Sequence, residues 1–207
     1  LDGGNGETEI TGKYGATVNV TVPTKNGYTF AGWNSDLPAT LPAENVTYTA
    51  KWTADTYTIT YNLYEGENNT ANPRSYNIET STITLASPTK TGYTFDGWYT
   101  DDGCTIAKTE ITKGSTGDIT LYAKWNANTD TAYKVEHYQQ NITDNEYTLA
   151  ENGTETGTTG EDTSATAKDY AGFTANTVEQ MKIAADGSTV VKIYYDRNII
   201  TLTLDLD

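Results

Sequence analysis

The sequence predicts a mainly β protein with a minor α component, organised as small modules in tandem. Thr makes up about a fifth of the 207 residues and Tyr contributes another 16. Both suit a pleated, half-buried surface, whereas the helix formers Ala and Leu are comparatively scarce. Gly, at 18 residues, and short clusters of Asn, Asp and Thr punctuate the chain at close intervals. A long motif then occurs twice, the mark of a repeat architecture. Aromatics at 11% also set the chain apart from disordered sequences, which are poor in rings and β-branched residues.

The repeated motif is Lys25-Asn26-Gly27-Tyr28-Thr29-Phe30-Ala31-Gly32-Trp33, which returns as Lys90-Thr91-Gly92-Tyr93-Thr94-Phe95-Asp96-Gly97-Trp98. Downstream, Val46-Thr47-Tyr48-Thr49-Ala50-Lys51-Trp52 is matched by Ile119-Thr120-Leu121-Tyr122-Ala123-Lys124-Trp125. Two modules of roughly 70 residues follow, near the lower size at which a domain holds itself together. We place them at residues 1–54 and 55–128. The second opens with a half-buried strand in which Tyr57, Ile59, Tyr61 and Leu63 alternate with Thr58, Thr60 and Asn62. The first has no such strand: Leu1-Asp2-Gly3-Gly4 aligns with Leu63-Tyr64-Glu65-Gly66. The chain therefore reads as cut from a longer array.

From Asp130 the pattern changes, and residues 129–198 form a third module of another type. Tyr133-Lys134-Val135-Glu136-His137-Tyr138 alternates as a strand, Tyr147-Thr148-Leu149 begins another, and residues 164–168 suggest a short one. Residues 178–183 and 189–195 flank Asp186-Gly187, a strong hairpin signal. Residues 199–207 repeat the pattern of residues 58–63 and read as the opening strand of a further repeat. This segment is expected to lie unpaired or to add to an exposed sheet edge, since such edges template pairing. Helical turns are expected only at residues 75–81, 105–112 and 175–181.

Packing explains the repeated residues. In each copy alternation puts one set on a single face: Tyr48, Ala50 and Trp52, then Leu121, Ala123 and Trp125. Gly27 and Gly92 suit a turn of positive φ before Tyr28 and Tyr93. Gly32 and Gly97 leave room for an indole or a bulge beside Trp33 and Trp98. Phe30 and Phe95 complete the set. Recurrence at equivalent places favours the four Trp as core residues over an exposed sugar platform. Tyr122 and Tyr194, on outer faces, are the better candidates for ligand contact.

These motifs resemble the Listeria–Bacteroides repeat, the B-repeat type of internalin-like surface proteins. The carrying residues are Gly27-Tyr28-Thr29-Phe30 with Gly32-Trp33 and Ala50-Lys51-Trp52, and their second copy ending at Ala123-Lys124-Trp125. The third module resembles the mucin-binding-protein (MucBP-type) repeat through residues 133–138 and 186–195. The resemblance implies β-grasp-like, ubiquitin-like modules in an elongated array, outside a bacterial cell, with no enzymatic activity and no cofactor.

The residues agree with that class. With 13 Lys+Arg against 28 Asp+Glu the net charge is −15, which argues against nucleic acid and against polybasic docking on a membrane. No apolar run reaches the roughly 18 residues that span a bilayer. A lone His137 has no second His beside it, and Cys104 follows acidic Asp101-Asp102-Gly103, which does not favour a thiolate. The Asp pairs lack calcium-loop spacing, so no metal site is expected. The expected function is a spacer or stalk for adhesion, monomeric or weakly self-associating through strands. The alternatives are an adhesin module for mucin glycans or host glycoprotein, and an accessory region of a secreted carbohydrate-active enzyme.

Overall fold

Alternation of rings and β-branched residues with Thr yields twelve strands in the computed structural model, which describes residues 3–205. No helix occurs among the described residues. In the first repeat, β1 (Tyr28–Trp33) and β2 (Ala50–Ala54) pair antiparallel, with Tyr28 opposite Ala54 and Phe30 opposite Trp52. The register slips between Phe30 and Trp33, where Gly32 takes φ +98°, so the bulge expected at this glycine is present.

The second repeat carries β3 (Tyr57–Asn62), β4 (Ser75–Tyr76), β5 (Ile83–Thr84), β6 (Tyr93–Tyr99), β7 (Glu110–Ile111) and β8 (Ile119–Ala127). Four of these form a sheet in the order β4-β3-β8-β6, with β3 and β8 parallel at its centre, while β5 pairs with β7. The third module contains β9 (Thr131–Gln140), β10 (Tyr147–Gly157), β11 (Phe173–Ala175) and β12 (Val190–Arg197) in the order β10-β9-β12-β11. Here too the first and last strands are parallel neighbours. Parallel strands need a crossover, and here the crossovers run through β4–β7 and through β10 and β11 with their loops, without a helix among the described residues. The described part of the terminal segment, residues 199–205, holds no strand, and Ile199, Ile200, Leu202 and Leu204 are exposed.

By mutual contact the described chain divides into two compact units. One contains the residues up to Leu63 with Asn68–Ala86 and Gly97–Ala123; the other contains Tyr64–Glu67, Ser87–Asp96 and the residues from Lys124 onward. The first unit buries Ile59, Tyr76, Leu85, Trp98, Ile111, Leu121 and Ala123. Its Trp98 indole donates to the Ala86 carbonyl (3.0 Å) and meets the Tyr61 ring edge-on at 5.2 Å. Burial pushes the Tyr61 hydroxyl up to about 12, and that hydroxyl donates to the Pro73 carbonyl at 2.9 Å. The second unit buries Tyr133, Val135, Ala165, Ile183, Val191, Ile193 and Tyr195 in one cluster.

Several expectations are corrected. The minor α component is absent because side chains satisfy the backbone locally. At residues 75–81 the Asn77 carboxamide accepts from the Glu79 and Thr80 N–H groups, closing a turn directly after β4. At residues 105–112 the Asp101 carboxylate accepts from the Thr105 and Ile106 N–H groups, and β7 is drawn into pairing with β5. At residues 175–181 the Gln180 carboxamide reaches the backbone of Ala165, accepting at 3.1 Å and donating at 2.8 Å. The same bonds stand in for a strand partner, and residues 164–168 form no strand. The turn at Asp186-Gly187 forms, with Gly187 at φ +76°, yet its arms do not build a hairpin ladder. Thr189 instead ties back to Ala184 N–H and the Lys182 carbonyl, and β12 takes β9 and β11 as partners.

Candidate functional site: a glycine joint and two aromatic surfaces

Three segments end in the same local construction. In the first, Gly27 lies at φ +75°, the Tyr28 N–H donates to the Lys25 carbonyl (3.1 Å), and the Gly27 carbonyl accepts from Asp55 N–H at 3.0 Å. The Thr29 hydroxyl donates to the Asp55 carboxylate at 2.6 Å. In the second, Gly92 is again at φ +75°, Asn128 N–H donates to its carbonyl at 2.9 Å, and Thr94 donates to the Asn128 side chain at 2.8 Å. In the third, Gly172 is at φ +83°, Asn198 N–H donates to its carbonyl at 2.9 Å, and Thr174 donates to Asn198 at 2.6 Å. Each construction fixes the residue that leaves the last strand of its module. Positive φ is open to Gly without steric cost.

What lies against the glycine differs. A Cβ at Gly27 would meet the Ile78 side chain at 2.8 Å and Thr116 at 3.0 Å, both in the next module. A Cβ at Gly92 would meet Ala185 at 2.7 Å, with the Ala185 backbone at 2.8 Å. Thr116 and Ala185 both stand on the loop that enters the last strand of their module. The Tyr28 hydroxyl adds a bond to Glu79 at 3.0 Å. At Gly172 a Cβ would meet nothing within 4 Å. Close backbone approach therefore makes Gly27 and Gly92 joints between modules.

Beside the second joint is an open groove of about 660 Å³, lined by Glu65, Glu67, Lys90, Tyr93, Phe95 and Trp125 among others. The Lys90 ammonium sits 4.5 Å from the Tyr93 ring centroid and donates to the Tyr64 carbonyl at 2.6 Å. Phe95 and Trp125 meet edge-on at 5.5 Å. The first repeat rebuilds this set, with Lys25 4.4 Å from the Tyr28 ring and Phe30 edge-on to Trp52 at 5.6 Å. A second surface lies on the third module, where Tyr138 and Tyr194 stack at 5.3 Å and Tyr147 meets Tyr194 edge-on at 5.0 Å. A groove of about 410 Å³ adjoins it, lined by Glu179, Met181, Lys192 and Tyr194.

His137 is only 3% exposed. Lys168 N–H donates to the Tyr195 oxygen at 2.8 Å, and the same hydroxyl is hydrogen-bonded to His137 Nδ1 at 2.7 Å, with donor and acceptor set by the imidazole tautomer. Burial, followed by nearby Lys168, lowers the imidazole pKa. The adjoining Tyr170 hydroxyl donates to Glu151, which also pairs with Lys168 at 3.1 Å. The Tyr170 bond and Lys168 hold the Glu151 carboxyl below the usual range. Among the described residues no buried side-chain N or O atom lacks a hydrogen-bond partner, so His137 and Tyr195 are satisfied core residues tied to Glu151 and Lys168 at the surface. Among the described residues no three His, Cys, Asp or Glu side chains converge as metal ligands.

Of the residues singled out by sequence, Gly27, Tyr28, Gly92 and Tyr93 meet at joints, while Phe30, Trp52, Phe95 and Trp125 form half-buried clusters beside them. Trp98, 3% exposed, is the one indole wholly inside. Trp33, Trp52 and Trp125 are half-buried, so the expectation of four interior rings is corrected: edge-on stacking holds three of them at the module surface. Gly97 at φ +134° precedes the buried indole. Tyr122 is half-buried, and Tyr194 is 37% exposed within its tyrosine stack. Sequence reasoning missed Gly172, Thr174 and Asn198. The signal was Gly172-Phe173-Thr174, the repeated Gly-Tyr-Thr with one ring exchanged.

The Listeria-Bacteroides repeat domain family matches this chain at residues 1–55 and 57–124. Among curated proteins, the chain is 32% identical over 61% of its length to a protein of Evansella cellulosilytica whose name describes a Gly-rich membrane protein. It is 33% identical over 68% of its length to another membrane-named protein of that bacterium. To internalin H of Listeria monocytogenes it is 36% identical over 52% of its length. The match covers 16%, 22% and 21% of those proteins respectively, so the chain spans about a fifth of the curated relatives it matches. With the repeat motif, its joint and the matched segments in agreement, the chain belongs to the Listeria-Bacteroides repeat domain family.

Proposed function

We propose that this chain is a non-enzymatic spacer segment of a large bacterial surface or secreted protein, which holds a functional region at a set reach outside the cell. The observation that carries the reading is the joint. The same Gly, Thr and Asp/Asn contacts recur at residues 27–55 and 92–128, and the next module packs on each glycine. Hydrogen bonds at a connection remove the slack that a Gly/Ser linker would have. The net charge of −15 adds like-charge repulsion between neighbouring stalks, effective over about 8 Å at physiological salt. Surface placement is supported by the internalin and membrane names of the relatives. The central parallel pair of each four-stranded sheet supports a β-grasp-like reading without its helix, and we extend it to the third module as a MucBP-type repeat. Replacing residues 57–126 in the full-length protein by an unrelated rigid module of equal length should preserve reach-dependent function, whereas deletion should impair it. Loss of function on equal-length replacement would overturn the spacer reading.

The tyrosine surface favours a second reading, an adhesin contact for mucin glycans or host glycoprotein. Tyr138 and Tyr194 offer stacked rings, and Lys192 stands 5.7 Å from the Tyr138 ring centroid. A glycan array probed with the whole chain and with Tyr194→Ala separates the two readings. Binding lost in the variant supports the adhesin.

A further inference from the structure

Three turns of one build differ in the residue that precedes their glycine. Lys25-Asn26-Gly27-Tyr28, Lys90-Thr91-Gly92-Tyr93 and Tyr170-Ala171-Gly172-Phe173 are each closed by a backbone bond of 3.1 Å between first and last residue. Only the first carries an Asn-Gly pair. With Gly27 at φ +75° in third place, after an Asn26 of negative φ, that turn is type II. Among the described residues neither the Asn26 carbonyl nor the Gly27 N–H makes a hydrogen bond, and the exposed Asn26 side chain makes none. The bonds that fasten the joint lie on other atoms: the Gly27 carbonyl, the Thr29 hydroxyl and the Tyr28 hydroxyl.

An Asn followed by Gly is open to attack by its own backbone, because no Cβ shields the next nitrogen. The Gly27 nitrogen, having lost its proton to water or hydroxide, adds to the Asn26 side-chain carbonyl carbon. The bond from that carbon to the amide nitrogen breaks, ammonia leaves, and a five-membered succinimide remains. Water then opens the ring at either carbonyl, giving aspartate or isoaspartate, the latter with an extra methylene in the main chain. Closing the ring turns the Asn26–Gly27 peptide plane, which an unbonded peptide beside a glycine permits. The other Asn-Gly pairs are set differently. Asn5 is bridged to Thr24 within the first repeat, by bonds of 2.6 and 2.9 Å. Asn152 and Gly153 lie inside β10, opposite Glu136 and Val135 of β9, where turning a peptide disrupts the ladder.

We propose that Asn26-Gly27 is a self-modification site: Asn26 converts to aspartate and isoaspartate as the protein ages, and the product releases the first repeat from the second. A Cβ on Gly27 would already meet Ile78 at 2.8 Å and Thr116 at 3.0 Å. A main chain lengthened by one methylene therefore has no room to keep both the turn and the packing. The new carboxylate also joins Asp55 and Glu79, which bond to Thr29 and Tyr28 beside the turn, and like charges repel. The conversion is irreversible and quickens as pH rises, because the attacking nitrogen must lose its proton. Thr91 and Ala171 exempt the other two turns.

Ageing of the whole chain in mildly alkaline buffer over weeks tests it, in an Asn5→Gln background. Peptide mass spectrometry follows the one-dalton gain at each site, and isoaspartyl methyltransferase counts the isoaspartate. Spin labels at Lys51→Cys and Thr120→Cys, with Cys104→Ser, report the distance between the repeats. Asn26 is expected to convert about tenfold faster than Asn152, the factor that about 1.4 kcal/mol of barrier gives. The narrow initial distance distribution should broaden in step with that conversion. Asn26→Thr, which places here the residue that precedes Gly92, should stay narrow. Three results would each overturn the proposal: Asn26 intact while a free peptide of residues 22–30 converts, conversion with the distribution still narrow, or broadening that Asn26→Thr shares. Because the proposal rests on the joint of the spacer reading, a distribution already broad before ageing would overturn that joint, and the proposal with it.

Discussion

The second repeat and the third module solve the same connection with different interiors. Both set their first and last strands in parallel at the centre of a four-stranded sheet. Both carry a Gly-aromatic-Thr turn whose glycine carbonyl and threonine hydroxyl hold the residue that follows the last strand. Inside, the second repeat packs around the Trp98 indole, while the third packs around tyrosines with a histidine bonded among them. Strand order and joint persist where the core chemistry does not. A core needs only volume and satisfied polar groups, whereas a joint needs one backbone geometry and a bare glycine face.

The largest effect expected is at the indole. Trp98→Ala should cost the second repeat about 3–5 kcal/mol by leaving a cavity, with amide protection of β9 and β12 unchanged. Loss of protection in those strands as well would show that the two interiors are not independent. Glycine substitutions sharpen the comparison of the joints. Gly92→Ala and Gly172→Ala share a positive-φ cost of about 1–2 kcal/mol, but only the former overpacks Ala185, adding about 1–3 kcal/mol. Equal losses in urea unfolding would remove the distinction between an occupied and an open glycine.

Tyr195→Phe should cost the third module about 1–3 kcal/mol, because its hydroxyl serves both His137 and the Lys168 N–H. The last effect is one of pH. His137 has a folded pKa below its ordinary 6.5, so the unfolded chain takes up the proton first. Third-module stability is then complete above about 6.5 and is lost progressively as pH falls below it. Glu151, also lowered, acts only below its ordinary 4.5. The second repeat contains no His, so denaturation at pH 7.5 and 5.5 should weaken β9–β12 and spare β3–β8. Equal weakening would contradict the histidine assignment.

Much of the fold was legible. The alternation in residues 57–63 and 133–138 marked β3 and β9, and the Gly before Tyr28 and Tyr93 marked turns of positive φ. The four-stranded order was not legible, because parallel pairing of first and last strands is a tertiary choice that local periodicity does not encode. The same limit explains why residues 46–49 and 119–122 differ in state despite similar sequences. Helical turns were misplaced because Asn77, Asp101 and Gln180 bond the backbone through side chains. At the joint, spacing pointed to Gly27 and Gly92, but the role of Asp55 and Asn128 needed their bonds to Thr29 and Thr94.

The central claim is that the Gly27 joint holds the first repeat against the second in one arrangement. Pulsed electron resonance between spin labels at Lys51→Cys and Thr120→Cys, in a Cys104→Ser background, measures that directly across the Gly27 joint. A single narrow distance distribution is expected, broadened by Gly27→Val. A broad distribution already present with Gly27 intact would contradict the claim.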